Sequence, residues 1–210
     1  MTVMEEEGPT PDEAVEAGLQ ELGLPREYVL VETLDEGTRG FLGLGGRQAR
    51  VRLTVTPAGE RLLLGQRTLR EFLGRMGVEA EIQAHDVQGL LRLEIRGEDA
   101  GLLIGRQGQT IESINFLIAR ILSRQLGERV PIEVDVEGYL ERKRQLLEQR
   151  ALRLAEQVKL TGEPVTLEPM SSVDRRTIHL ALKRDTRVRT ASLGEGPLRR
   201  LVITSVERRV

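Results

Sequence analysis

The segment GLLIGRQGQTIESINFLIARIL, from Gly101 to Leu122, is the feature that most restricts how this chain can fold. It places two glycines, Gly105 and Gly108, between two apolar runs whose composition otherwise favours helix. A glycine inside a helix costs about 1 kcal/mol relative to alanine, so the pair predicts an interruption. Glycine also lets another chain approach the backbone closely. The segment therefore predicts a helix, a tight loop and a second helix.

The stretches on either side of this segment predict the order α-β-β-α-α-β. A helix at LLLGQRTLREFLGRMGV precedes EAEIQAHDV and GLLRLEIRG, two alternating segments that predict strands joined by a turn at residues 87–89. VPIEVDV, residues 130–136, predicts the last strand. We therefore expect a domain at residues 67–136, preceded by a short linker at residues 57–66, where TPAGE is typical of a turn.

The rest of the chain predicts two further modules, so the expected fold class is α+β with three small modules. Residues 1–9 are predicted to be a disordered acidic tail. In residues 10–56, a helix that begins with TPDE is followed by two alternating strands, which predicts an αββ-type N-terminal module. In residues 137–210, a long amphipathic helix, a short strand, a helix capped by Ser172 and two strands predict an α/β domain.

The charge distribution leaves two interpretations of the C-terminal third open: a solvated charged surface, which charge alone favours, or a surface that binds a polyanion. The net charge is −6 for residues 1–65, −2 for residues 66–136 and +6 for residues 137–210. The chain has no cysteine and only two, widely separated histidines, so we expect no metal site, no cofactor and a cytoplasmic location. The acidic N-terminus is unlike a signal peptide, and no apolar run is long enough to span a membrane.

Residues 104–111 have the form I-G-x-x-G-x-x-I, and in this strand and helix order they resemble the signature of a KH domain of type II. The resemblance implies that the loop holds about four nucleotides of a single strand. Glycine admits the sugar-phosphate backbone, and the next helix offers its first N–H groups to phosphate. The segment matches neither a P-loop nor a dinucleotide fingerprint. The RNA-binding residues expected here are Ile104, Gly105, Arg106, Gln107, Gly108 and Ile111.

In DRRTIH, residues 174–179, an arginine and a histidine stand four residues apart on one helix face; taken alone, the histidine would be an ordinary surface or core residue. With SLGEGPLRRLVI, residues 192–203, this pattern resembles the small single-stranded nucleic-acid-binding domain named after an arginine, three residues and a histidine. An arginine fork suits phosphate, and a histidine can hydrogen-bond a phosphate or stack on a base. The contacts expected here are Arg175, Arg176, His179, Arg199 and Arg200.

GTRGFLGLGGRQARVRL, residues 37–53, resembles the N-terminal module of one bacterial family, and the order of the three modules is that of the Jag family, also called the KhpB or SpoIIIJ-associated family. The resemblance implies a non-enzymatic, cytoplasmic RNA-binding protein of the RNA-chaperone type. It also implies a small single-KH protein as a partner, a possible homodimer, and an influence on cell shape and envelope growth. Many relatives have a long charged linker before the KH domain, whereas this chain has a short one.

Three alternatives stay open at the level of sequence. His179, with Asp174 and Ser171 or Ser172, could act as the general base of a nuclease, although no second histidine or carboxylate pair stands nearby. The apolar loop at residues 41–44 could make the N-terminal module a protein-interaction scaffold at the cytoplasmic membrane face, but closure of the module's own small core by this loop is the favoured interpretation, and docking on the other two modules is a third. Single-stranded DNA fits both motifs as well as RNA does. Aromatic residues make up only 2% of the chain, so we do not expect base stacking on aromatic side chains.

Overall fold

The computed structural model describes residues 1–38 and 47–206 and shows an α+β chain that divides into two compact units. The first unit spans residues 1–137 and the second spans residues 138–210. Within the described residues the strands form three-stranded sheets, each with helices packed against it, as the predicted fold class requires. The apolar loop at residues 41–44 lies outside the described residues. None of the described helices is long and apolar enough to cross a membrane.

The N-terminal module is an antiparallel sheet with one helix. Its elements are β1 (Val3–Gly8), α1 (Pro11–Leu22), β2 (Val29–Asp35) and β3 (Ala49–Val55), and β3 lies between β1 and β2. Helix α1 begins at the predicted cap, where Thr10 accepts a hydrogen bond from the N–H of Glu13, and ends at Gly23 with φ 65°. A Cβ at Gly18 would lie 2.0 Å from Cδ1 of Leu53, so the helix contacts the sheet at a glycine.

The predicted disordered tail at residues 1–9 is wrong, because β1 forms there. Strand β1 pairs antiparallel with β3 along its whole length. Its acidic side chains do not prevent this pairing, since Arg52 of β3 binds Glu5 of β1 at 2.9 Å and Glu32 of β2 at 3.0 Å. Exposed ion pairs contribute little stability, so the arginine mainly relieves repulsion between the two outer strands. The predicted αββ module is therefore a βαββ module.

The predicted linker at residues 57–66 is also wrong, because these residues form the first half of helix α2 (Pro57–Arg75). The hydroxyl of Thr56 accepts a hydrogen bond from the N–H of Gly59 at 3.2 Å, and Pro57 occupies the first turn. An ideal Cβ on Gly59 would lie 2.9 Å from the carbonyl oxygen of Tyr28, so the new helix packs directly on the N-terminal module. TPAGE is therefore a helix start, and β3 leads into α2 without a spacer.

Helix α2 opens the predicted α-β-β-α-α-β domain. The later elements are β4 (Glu81–Val87), β5 (Leu90–Arg96), α3 (Ala100–Ile104), α4 (Gln109–Leu126) and β6 (Ile132–Val136). Strand β5 lies in the middle, antiparallel to β4 and parallel to β6. The parallel pair needs a crossover connection, which α3 and α4 supply. Fully buried side chains of this domain include Leu69, Leu73, Leu93, Ile95, Leu103, Ile111, Ile118 and Leu122.

The second unit packs two helices against a sheet in the order β7-β9-β8. Its elements are α5 (Tyr139–Thr161), β7 (Val165–Thr166), α6 (Ser172–Leu182), β8 (Val188–Leu193) and β9 (Arg200–Ser205). The cap of α6 is Ser171 instead of the predicted Ser172, because the Ser171 hydroxyl accepts a hydrogen bond from the N–H of Asp174 at 3.2 Å. The core of this unit contains Ala151, Ala155, Val158, Leu167, Ile178, Leu182, Val188, Leu201 and Ile203.

Candidate nucleic-acid interface

The loop between α3 and α4 has a backbone that favours glycine. Gly105 has φ 71° and ψ −176°, a region that is essentially restricted to glycine. Gly108 has φ 85° and ψ 13° and stands at the N-cap of α4. Gln107 between them is also left-handed, with φ 54° and ψ 18°, which is uncommon for a residue with a side chain. The chain turns sharply here and leaves Arg106 and Gln107 exposed.

A second constraint acts on Gly105 through its neighbour Thr110. A Cβ on Gly105 would lie 2.0 Å from Oγ1 of Thr110 and 2.7 Å from its Cβ. Thr110 belongs to the first turn of α4, so the loop packs tightly on the start of that helix. The glycine that the sequence motif assigns to ligand approach is therefore also required by the packing of the protein itself.

The loop combines a cation with the N-terminus of a long helix. Arg106 is exposed and forms no ion pair within residues 1–38 and 47–206. Helix α4 has 18 residues and begins at Gln109, so its first N–H groups and the positive end of its dipole lie beside the loop. These features favour binding of an anion such as a phosphate group.

The apolar residues around the loop divide into buried supports and exposed surface. Ile111 was expected to contact RNA, but it is 0% exposed, so it supports the loop from the core. Leu103 is buried in the same way, whereas Ile104 is half-buried and keeps accessible surface. Leu102 is 62% exposed and was not predicted as a contact. Its place in an apolar run did not indicate that it would face solvent.

Asn115 of α4 closes the free edge of the sheet. Its Oδ1 accepts the N–H of Val134, and its Nδ2 donates to the carbonyl of the same residue, both at 2.6 Å. Because β6 is an edge strand, these two bonds replace those of a missing neighbour strand. They fix α4 relative to β6 and thereby help to fix the loop at the start of α4. No local sequence signal indicates this role, since asparagine in an amphipathic helix is usually solvated.

Arg175 and His179 lie on α6 as predicted, and each has a partner inside the protein. The Nη1 of Arg175 donates to the carbonyl of Met170 at 2.6 Å. A guanidinium has five N–H donors, so Arg175 keeps donors for a phosphate. His179 is exposed, and its Nδ1 lies 2.6 Å from Oγ1 of Thr190 on β8. These bonds hold both side chains in place at the surface of the second unit.

The same contacts disfavour the nuclease hypothesis. Asp174, the suggested helper of His179, instead forms an ion pair with Lys143 of α5 at 2.8 Å, where the two side chains are 13% and 15% exposed. Ser171 serves as the cap of α6. Within residues 1–38 and 47–206, His179 bonds to the hydroxyl of Thr190 and to no carboxylate of the kind that orients a histidine base. In the part of the chain that the structure describes, no cluster of three or more acidic or histidine side chains could hold a metal ion.

The charges of the other predicted arginines of the second unit are not neutralised by acidic side chains within the described residues. Arg176, Arg199 and Arg200 are exposed, and none of them forms an ion pair within the described residues. In contrast, Lys159 is neutralised by Asp185 at 2.8 Å. That ammonium group lowers the pKa of the Asp185 carboxyl. The charge available to a ligand therefore includes the arginines on α6 and at the start of β9.

Three protein-family descriptions match the chain in the order of its modules. The Jag N-terminus matches residues 7–55, the KH domain of KhpA/KhpB matches residues 66–134, and the domain named for its Arg-x3-His pattern matches residues 145–205. The RNA-binding protein KhpB of Bacillus subtilis strain 168 is 36% identical over 202 residues, which cover 94% of this chain and 95% of the relative. The chain belongs to the Jag/KhpB family.

Further relatives in the Jag/KhpB family show the same relationship. The RNA-binding protein KhpB of Clostridium symbiosum is 33% identical over 201 residues, or 93% of this chain and 88% of that protein. The protein of the same name from Lactiplantibacillus plantarum is 32% identical over 128 residues, which cover 61% of this chain and 40% of the relative. In this family member, the loop at residues 105–108 lies within the KH match, and Arg175 and His179 lie within the match to the Arg-x3-His domain.

Proposed function

We propose that this Jag/KhpB protein binds single-stranded RNA through two surfaces. The first is the GxxG loop, Gly105–Gly108. The second, the Arg-x3-His surface, consists of Arg175, Arg176, His179, Arg199 and Arg200. The similar proteins of Bacillus subtilis and Clostridium symbiosum are named RNA-binding proteins, which supports RNA as the ligand.

The geometry of the GxxG loop carries this proposal. Gly105 lies in a conformation that excludes other residues, and it leaves Arg106 and Gln107 exposed beside the N-terminus of α4. A nucleic-acid backbone can lie against such a loop at Gly105, since no side chain there keeps it away. Gly108, which was also expected to contact RNA, is buried and supports the turn. The ligand is held by its phosphates, so we expect its affinity to fall steeply with salt. The internal partners of Asp174 and His179 favour binding without catalysis.

The double variant Arg106→Asp/Gln107→Asp tests the loop. It replaces a cation and an amide donor by two carboxylates, and we expect RNA affinity to fall by about ten- to hundredfold, since a hydrogen bond to a charged group contributes roughly 1.5–3 kcal/mol. Filter binding with a labelled single-stranded RNA measures this loss. Both side chains are exposed, so circular dichroism should show an unchanged fold.

The matched control is Gln66→Asp/Arg67→Asp on α2, which changes the same residue types by the same charge. We expect it to retain most of the RNA affinity. If the loop variant binds RNA as tightly as wild type does, the GxxG loop is not the binding site. If both variants lose affinity equally, the effect is one of net charge and the loop has no special role.

A DNA strand of the same sequence separates the two nucleic acids. Contacts to the 2′-hydroxyl distinguish RNA from DNA, so we expect tighter binding of RNA. Equal affinity would assign the protein to single strands in general. Protein capture that depends on residues 1–56, with no affinity for either nucleic acid, would favour the scaffold alternative.

The family resemblance also supports finer roles, which we include in the proposal. We infer that the protein acts in the cytoplasm as an RNA chaperone or post-transcriptional regulator and influences cell shape and envelope growth. We also infer a partner, either a small single-KH protein or a second copy of this chain. Light scattering of the pure protein tests the homodimer, and cell length after depletion tests the role in cell shape.

A further inference from the structure

We propose that Thr190 is a positioning residue that donates its hydroxyl hydrogen to Nδ1 of His179, so that Nε2–H of His179 is presented to a phosphate group. This inference rests on the proposed function, because it specifies which group of the RNA the Arg-x3-His surface recognises. It concerns a residue that lies outside the arginine and histidine pattern from which the site was predicted.

The first step is the contact itself. Nδ1 of His179 lies 2.6 Å from Oγ1 of Thr190, which is a short hydrogen bond. The contact joins the last part of α6 to β8, eleven residues further along the chain. His179 is exposed, and within residues 1–38 and 47–206 its Nε2 has no hydrogen-bond partner. One nitrogen of the ring is therefore held by the protein, and the other remains for a ligand.

The second step is the placement of Thr190. It is half-buried and stands directly opposite Ile203 of β9 in the antiparallel ladder. Opposite residues in such a ladder share a face of the sheet, and Ile203 is a wholly buried member of the core. Threonine is also branched at Cβ, which limits its rotamers. The hydroxyl is thus supported by a rigid element and can fix the orientation of the imidazole ring.

The third step is the chemistry of the ligand. A neutral imidazole has one N–H donor and one acceptor nitrogen, and a threonine hydroxyl can donate to Nδ1 or accept from it. The contact with Thr190 therefore fits either tautomer, and the chemistry of the ligand decides between them. Phosphate oxygens only accept hydrogen bonds, so a neutral ring that binds phosphate through Nε2 must carry its proton there. Its Nδ1 is then an acceptor and needs a donor, which the Thr190 hydroxyl supplies. A ring protonated at Nδ1 would instead present an acceptor to the ligand and would suit a donor group on a base.

The charges nearby support phosphate as the recognised group. Arg175 lies one turn before His179 and is anchored to the carbonyl of Met170 at 2.6 Å. Arg176 is exposed on the same helix. The threonine hydroxyl and the Met170 carbonyl therefore orient the histidine and one arginine before any ligand arrives, which reduces the conformational entropy lost on binding.

Nitrogen NMR of the full-length protein tests the tautomer without RNA. Long-range ¹H–¹⁵N spectra of the imidazole, recorded at alkaline pH, distinguish a protonated from an unprotonated nitrogen. The only other histidine is His85, which serves as an internal reference. We expect wild-type His179 to carry its proton on Nε2, with Thr190→Ser unchanged and Thr190→Val shifted toward a mixture of tautomers. A proton on Nδ1 in wild type, or an unchanged spectrum in Thr190→Val, would overturn the proposal.

RNA binding by the same variants tests the consequence. We expect Thr190→Val to weaken binding by roughly three- to tenfold, the value of one ordinary hydrogen bond, and Thr190→Ser to restore it. The matched control is Thr204→Val on β9, a half-buried threonine whose hydroxyl donates to the Arg189 carbonyl at 3.5 Å. This control should change neither the His179 spectrum nor RNA affinity.

The two proposals fail in different ways. If wild type binds RNA and Thr190→Val binds it equally well, the role of Thr190 in RNA binding is refuted while the proposed function stands. If wild type binds no RNA, the proposed function fails and the assignment of phosphate fails with it. In that case the NMR comparison still decides whether Thr190 sets the state of the ring.

Discussion

The substitution Gly105→Ala should destabilise the KH domain, although it adds a single methyl group. The residue has φ 71° and ψ −176°, and an alanine in such a conformation costs about 1–3 kcal/mol. The new Cβ would also lie 2.0 Å from Oγ1 of Thr110. Forcing a methyl group into such a tightly packed site costs typically about 1–3 kcal/mol. We therefore expect a loss of roughly 3 kcal/mol, a large share of the stability of a domain.

Gly101, a glycine in the neighbouring helix α3, provides a control in which the same substitution should not lower the stability. Gly101 is in a helix, and an added Cβ there would have no atom within 4 Å. Alanine is a better helix former than glycine by about 1 kcal/mol, so Gly101→Ala should leave stability unchanged or raise it. The two substitutions are chemically identical and four residues apart, which makes their difference a direct measure of the loop conformation.

Native-state hydrogen exchange of the full chain, followed by mass spectrometry, is the assay that separates the two units. A loss of roughly 3 kcal/mol should speed exchange of the α4 amides about hundredfold, since each 1.4 kcal/mol is a factor of ten. The amides of α5 belong to the second unit and should not change.

The double variant Gly105→Ala/Thr110→Ala removes the Oγ1 contact but keeps the unfavourable backbone angles. It should therefore recover part of the lost stability and no more. Unchanged α4 exchange in Gly105→Ala, or shifts of the same sign in Gly101→Ala and Gly105→Ala, would refute the reasoning from backbone conformation.

Two further predictions concern single side chains. Lys159 lowers the pKa of Asp185, and a carboxyl with a lowered folded-state pKa stabilises the protein above its unfolded pKa of about 3.9 and loses that contribution as the pH falls. Thermal unfolding should therefore show the second unit of wild type weakening below about pH 5, with a flatter profile in Asp185→Asn. Asn115→Ala should cost about 1–3 kcal/mol by leaving two backbone groups of Val134 without partners, and NMR should show faster exchange of the Val134 amide.

Local signals in the sequence were sufficient where a residue type determines the backbone by itself. Helix α1 begins after Thr10 and ends at Gly23 as predicted. A cap hydroxyl and a left-handed glycine determine helix ends through contacts with residues only a few positions away. The turn between β4 and β5 was also predicted, and its two residues, Gln88 and Gly89, both have positive φ, as a two-residue hairpin turn of type I′ requires. The order α-β-β-α-α-β follows from such signals and from alternation.

The prediction failed where an element depends on a distant partner. Strand β1 is acidic, and its alternating burial exists only because β3 lies beside it. Arg52 relieves the repulsion by binding Glu5 and Glu32, which lie 47 and 20 positions before it in the sequence. The predicted linker is a different case, because Thr56 and Pro57 begin a helix in the same way as Thr10 and Pro11 do, while the proline and glycine of TPAGE are also typical of a turn.

At the candidate site, the sequence indicated which polar and charged residues lie there more reliably than it indicated which predicted contacts are exposed to solvent. Arg106, Gln107, Arg176 and other predicted polar contacts are exposed, but Ile111 is buried because α4 turns that position toward the sheet. Thr190 could not be predicted from spacing, because its contact with His179 depends on how β8 lies beside α6. Periodicity identifies the apolar face of an element, whereas pairs between elements require the packed structure.

The dual role of Gly105 decides which variants can test RNA binding. Gly105 packs against Thr110 and has backbone angles that residues with a side chain do not adopt. Its replacement therefore disturbs folding and ligand access together. Loss of RNA binding in Gly105→Ala would therefore leave the cause open. Arg106 and Gln107 are exposed, and their side chains are not needed for the turn in the way that the glycine is. A change confined to these two side chains separates recognition of phosphate from the integrity of the loop, which makes Arg106→Asp/Gln107→Asp the stronger test of function.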